Sequence, residues 1–152
     1  VRVTKGLLAA GLIILFIFSL WYALWPHDSG QLLQAQELHW RELAKLDYVT
    51  GQAPPELKSW DGKRIKIPGF MVPLEDQAQM VTEFLLVPTA QACIHVPPPP
   101  PNQMVLVKMK DKPQAVIMGP VWVYGDLHIV TQQHFYGESS FSLDGLAVEP
   151  YR

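Results

Sequence analysis

The sequence predicts a mainly β domain, a small five-stranded barrel of the OB type, preceded by a transmembrane helix and an amphipathic helix. Three observations carry that expectation. Five β-rich runs fall between Lys63 and Glu149; no helical pattern of ten or more residues lies among them; and the first run is interrupted by Pro68-Gly69, which bends a strand. An SH3-like barrel or a small sandwich shares these signals. The chain divides into a cytoplasmic stub and anchor (1–26), a helix and linker (27–62) and the β domain (63–152).

The first element is "GLLAAGLIILFIFSLWYALW", Gly6 to Trp25, twenty positions without a charge. At about 1.5 Å per residue it reaches roughly 30 Å, the thickness of bilayer hydrocarbon. Arg2 and Lys5 precede it and Asp28 follows it. The positive-inside bias therefore leaves the N-terminus in the cytoplasm and carries the rest across a bacterial inner membrane into the periplasm. Trp21, Tyr22 and Trp25 fall where an aromatic belt would sit. A cleavable signal peptide shares the basic start, but its apolar part is shorter and closes on small residues, unlike "LWYALWP".

After "PHDSG", which supplies N-cap residues, "QLLQAQELHWRELAKL" places Leu32, Leu33, Gln36, His39, Trp40, Leu43 and Leu46 roughly on one face. That predicts an amphipathic helix over 30–46. "DYVTGQAPPELKSWDGK" is turn chemistry around at most one helical turn at Pro55 to Trp60. The strands follow as "KRIKIPGFMVPL", "TEFLLVP", "QMVLVKMK", "PVWVYGDLHIV" and "SSFSLDGLAVE". Gly69, Gly119 and Gly125 read as bulge or turn residues. Trp60, Trp122 and Tyr124 read as packing residues, or as a ligand platform if the aromatic pair is exposed.

The chain has 12 Lys and Arg against 14 Asp and Glu. Taking away Arg2 and Lys5 leaves a net charge of −4 for the part beyond the apolar run, which argues against nucleic acid and anionic headgroups as partners. The single cysteine, Cys93, excludes an internal disulfide.

The remaining segment, "ACIHVPPPPPNQ", holds that cysteine, His95 and the prolines Pro97, Pro98, Pro99, Pro100 and Pro101, followed by Asn102 and Gln103. Together with "DGKRIKIPGFMVPLE" and "TEFLLVP" it resembles a bacterial envelope family known as domain of unknown function 3299. The resemblance covers roughly Trp40 to the C-terminus. It implies an exported protein, often a lipoprotein or one behind a signal sequence, accompanying ABC transporters of the lipoprotein-release or macrolide-export type, in some bacteria within zinc-limitation responses. No cysteine precedes Cys93, so this chain departs from the lipoprotein pattern. The family supplies no catalytic residues.

In an extended segment residues two apart point to one side, so Cys93 and His95 can offer thiolate and imidazole to one metal ion, zinc before copper. Further ligands would come from His128, His134 or Glu138, with His134 expected in a loop that could fold over the Cys93 loop. His39 and His27 read as a packing residue and a membrane-proximal one. A lone cysteine is also commonly a buried small apolar residue, and strand histidines are commonly structural. The five prolines should run as a polyproline II arm of ~15 Å, with Asn102 and Gln103 offering side-chain amides to backbone or ligand.

Two functions compete. One is a membrane-anchored accessory protein that binds zinc through Cys93 and His95 and acts beside an ABC transporter permease or an associated periplasmic protein. The other is a metal-free interaction module that docks a partner with its arm. An enzyme is the least favoured reading, because neighbours two apart on a strand do not make a nucleophile–base contact and no resolving cysteine is present.

Overall fold

The computed structural model describes Ser19 and residues 34–75, 79–90 and 98–151. The chain falls into two compact units, residues 1–31 and residues 32–152. The elements of the second are β1 (Gln36–Glu37), α1 (Trp40–Leu43), α2 (Pro55–Lys58), β2 (Arg64–Pro73), β3 (Met80–Val81), β4 (Glu83–Val87), a 3-10 turn (Pro101–Gln103), β5 (Val105–Met109), β6 (Gln114–Ala115), β7 (Pro120–His134) and β8 (Gly137–Pro150).

The domain is mainly β, as the alternating runs predict. β2 pairs with β4, β4 with β5, β5 with β8, β8 with β7 and β7 again with β2, so the pairings return to their start. All are antiparallel except β5–β8. The inward positions are mostly apolar: Ile65 and Ile67 on β2, Phe84 and Leu86 on β4, Val105 and Val107 on β5, Val121, Val123 and Leu127 on β7, Phe141 and Leu143 on β8, with the buried Ser139 on β8 as a polar exception. Period-two alternation places these residues together, and their burial drives the closure.

β2 carries Pro68 in its middle, although proline cannot donate to a ladder. On one side β2 faces β1 only as far as Lys66, and β4 begins to pair with it at Phe70. Pro68 falls in the gap between them. Trp40 fills the same gap, and its Nε1–H donates to the Pro68 carbonyl at 2.6 Å. Gly69 follows because the Val87 carbonyl lies 2.8 Å from where a Cβ would stand. Gly125 sits at a register shift between β7 and β8, where a Cβ would come 2.4 Å from the Asp144 carbonyl. Both are therefore required by close backbone approach.

The amphipathic helix expected over 30–46 is corrected. Gln36–Glu37 is a strand parallel to β2, His39 is extended, and among the described residues of that span Trp40–Leu43 alone is α-helical. Tertiary pairing overrides the helical pattern: the Leu38 amide donates to the Lys66 carbonyl at 2.9 Å, while Leu38, Leu43 and Leu46 all enter the core. The turn at Pro55 is as expected, with Pro55 in the first helical turn of α2, where a missing N–H costs nothing. The expected anchor, Gly6 to Trp25, lies outside the described residues apart from Ser19. Among the described residues no helix is long and apolar enough to cross a membrane.

Candidate functional site

The outer faces of the strands differ around the ring. Over β2, β4 and β5 the outward residues Leu85, Val87, Met104 and Leu106 are buried, with Phe70, Val72 and Leu74 packed against them. An apolar outer face needs a cover, and part of it is the proline segment: Pro98 and Pro99 line a narrow cleft of about 20 Å³ with Val72, Leu85, Val87, Met104 and Tyr136.

The segment is extended at Pro100 (φ −63°, ψ 156°) and then turns: Pro101–Gln103 is a 3-10 turn closed by the Gln103 amide donating to the Pro100 carbonyl at 2.8 Å. The polyproline arm expected through Pro101 therefore ends one residue sooner. Pro101 opens the turn because its fixed φ suits a helical start. Pro98 and Pro100 are exposed and Pro99 is half-buried.

Asn102 and Gln103 fasten the arm's C-terminal end. The buried Asn102 amide donates to the carbonyls of Leu46 at 2.9 Å and Ala44 at 3.2 Å, and Gln103 donates to the Trp40 carbonyl at 3.4 Å. The Ala44 and Leu46 carbonyls lie just beyond α1, where a helix end leaves acceptors free, while the Trp40 carbonyl also accepts the Ala44 amide at 2.9 Å. The two amides are thus engaged with this chain's own backbone.

The other wall is the β7–β8 hairpin. His134 pairs with Gly137 across a two-residue turn, Phe135-Tyr136, and Gly137 takes φ 123°. Phe135 is 84% exposed and stands edge-on to Tyr136, with ring centroids 5.2 Å apart. His134 ends the strand rather than lying in a free loop. Its Nδ1 accepts the Tyr136 amide at 3.2 Å, and its buried Nε2 has no partner. Burial lowers the His134 pKa below the ordinary imidazole value, against the opposing pull of Glu138.

His128 lies elsewhere. It faces outward on β7 beside Asp144, Nε2 to Oδ2 3.6 Å, at one end of a charged chain. Lys110 bridges Asp144 and Asp126, each at 3.3 Å, and Arg64 grips Asp126 at 2.9 Å. Arg64 chiefly, then Lys110, holds the Asp126 carboxyl below the usual carboxylate range despite partial burial. Six residues along one strand separate His128 from His134 by about 20 Å. The structure does not bring these two histidines to one ion.

Cys93, His95 and Pro97 lie outside the described residues. Among the described residues no group of three His, Cys, Asp or Glu could hold a metal ion. A separate open cleft on the outer face of β7 is lined by Trp122, Tyr124, Glu149 and Pro150, with Tyr151 stacked on Trp122 at 5.0 Å and Lys66 Nζ 4.5 Å from the Trp122 ring centre. Trp122 is thus packed from within the chain, and the Tyr124 hydroxyl donates to Glu149 at 3.2 Å.

Sequence reasoning missed Phe135 and Tyr136. The available signal was an aromatic pair followed by glycine between two β-rich runs, which marks a hairpin tip. An arm fastened at its C-terminal end, a covered apolar outer face and an aromatic tip describe a β domain built around a surface segment. Comparison gives its family: residues 21–150 match the model of a protein family of unknown function, DUF3299, and the chain belongs to that family. A crystal structure of a DUF3299 family protein from Pseudomonas aeruginosa is 33% identical, with a TM-score of 0.60, covering 78% of this chain and 97% of that one. No curated protein matches the chain.

Proposed function

We propose that the protein is a binding module rather than an enzyme, an OB-type barrel held on the periplasmic side of the bacterial inner membrane by residues 6–25, which docks a partner protein through the proline arm. The pairing order β2-β4-β5-β8-β7, with one parallel pair and closure onto β2, supports the OB-type reading over a sandwich. In such folds the outer face of the second and third strands is a common binding surface. Here those strands are β4 and β5, and Pro98 and Pro99 lie against that face.

The observation that carries the reading is the arm's presentation. Pro99 turns toward the domain while Pro98 and Pro100 are exposed, and Asn102 locks the base. A pre-ordered polyproline segment loses little entropy on docking into an aromatic groove of a partner. The family resemblance supports an ABC transporter permease, or a periplasmic protein associated with one, as that partner. The test is a photo-crosslinking residue at position 100 in native membranes, with position 118 as control. An adduct with a transporter subunit at 100 but not 118 supports the reading, and equal labelling at both positions removes it.

One observation favours metal binding as a second reading: His134 Nε2 is buried without a partner, beside the hairpin whose Tyr136 shares a cleft with Pro98 and Pro99. Zinc, or copper, held by Cys93, His95 and His134 would give that nitrogen its role. Metal content of chelator-free protein decides it: near-stoichiometric zinc lost in Cys93→Ser and in His134→Gln supports the site, and none on titration under reducing conditions rules it out.

A further inference from the structure

We propose that the Phe135-Tyr136 hairpin tip rests in the polar–apolar boundary of the lipid bilayer, an inference that depends on the anchor reading of residues 6–25. Its basis is which end of the strand ring each feature occupies. β1 runs parallel to β2, Gln36 beside Ile65, so the chain enters the domain at the end where β2 begins. β7 runs antiparallel to β2, and Asp126 lies beside Arg64, the first residue of β2. Beyond it Leu127 exchanges hydrogen bonds with Gly62 and Lys63, and the Ile129 amide donates to Asp61. The hairpin tip thus projects from the same end at which the chain enters.

Trp25 closes the apolar run and Gln36 opens the domain, so the ten residues between them let this end of the domain stand no more than about 40 Å from the end of the apolar run. The chemistry of the tip fits the boundary region. Phe135 is 84% exposed and Tyr136, in edge contact with it, is 37% exposed, although a purely aqueous surface gains nothing from presenting the pair. Aromatic side chains with one polar tip concentrate at the level of the headgroups. From Val130 to Glu138 the only formal charge is Glu138, so the contact would be apolar and would not require anionic lipid. At the opposite end, between β5 and β7, Met118 is 92% exposed with no aromatic neighbour in sequence.

The experiment uses the full chain in phosphatidylcholine vesicles, in a Cys93→Ser background, with a nitroxide label at Phe135→Cys or at Met118→Cys. The expected result is a raised ratio of oxygen to nickel-chelate collisions at 135 and a water-like ratio at 118, unchanged by salt. Water-like ratios at both positions in a chain that floats with the vesicles overturn the tip contact and leave the anchor intact. A chain that does not float with the vesicles removes the anchor reading and the tip contact with it. Should the 135 variant fail to fold, a label at the exposed Gln133 reads the same boundary.

Discussion

The outer face of β2 changes character half-way along. From Arg64 to Lys66 it is charged: Arg64 pairs with Asp126 and Lys66 with Glu37 at 3.2 Å, all within reach of water. From Phe70 to Val72 it is apolar and joins a cluster in which Leu85 is 2% exposed. The inner face keeps one rule throughout. One strand thus meets solvent on half its outer face and a proline segment on the other half, which shows that the arm belongs to the packing as much as to the surface.

The largest expected effect tests whether the two faces of β4 are equivalent. Leu86→Ala on the inner face and Leu85→Ala on the outer face should each cost about 2–5 kcal/mol, read from urea denaturation midpoints. A full cost at Leu86 with less than about 1 kcal/mol at Leu85 would mean that the arm does not cover the outer face in solution. Next, Asn102→Ala removes the donor that satisfies the Leu46 and Ala44 carbonyls, and should cost about 1–3 kcal/mol. Unchanged stability there would show that the base of the arm is not fastened.

The charged half of β2 should matter less. Asp126→Asn is expected to cost up to about 1 kcal/mol at neutral pH, since the pair is partly solvated. Its folded pKa is lowered, so its contribution is present above the ordinary carboxylate pKa and is lost as pH falls through the folded value. The variant should therefore lose less stability than the wild type on acidification below about pH 4. An identical acid limb in both would break the assignment. The smallest effect belongs to His134. Its lowered pKa means that the unfolded chain takes up the proton first, so stability declines as pH falls below about 6.5 and levels off below the folded value. His134→Gln should flatten that decline.

The sequence made the inner face easy to read because one period-two pattern serves both local geometry and burial, as in Arg64-Ile65-Lys66-Ile67. It made the outer face harder to read. "FLLV" at 84–87 is continuous because both sides of β4 are covered, and nothing local names the cover. Leu43 and Leu46 were legible as core but misleading as a helix, and the helical pattern left out Leu38, which the short strand brings inward beside them. The motif was legible as composition, but its energetic role was not. Asn102 reaches back 56 positions to Leu46, a contact no local spacing encodes.

The parallel pairing of β5 with β8 has a kinetic consequence. The ring closes only when residues 137–150 dock between β5 and β7, and the β5 contact spans 36 positions from Val105 to Phe141. Loop closure of that length comes before any reward from pairing, so the step should be slow relative to formation of the β7–β8 hairpin. A chain made or threaded from its N-terminus therefore holds β5 as an open strand edge, Val105 and Val107 unshielded, until its last strand is free. Over that interval it is most vulnerable to aggregation.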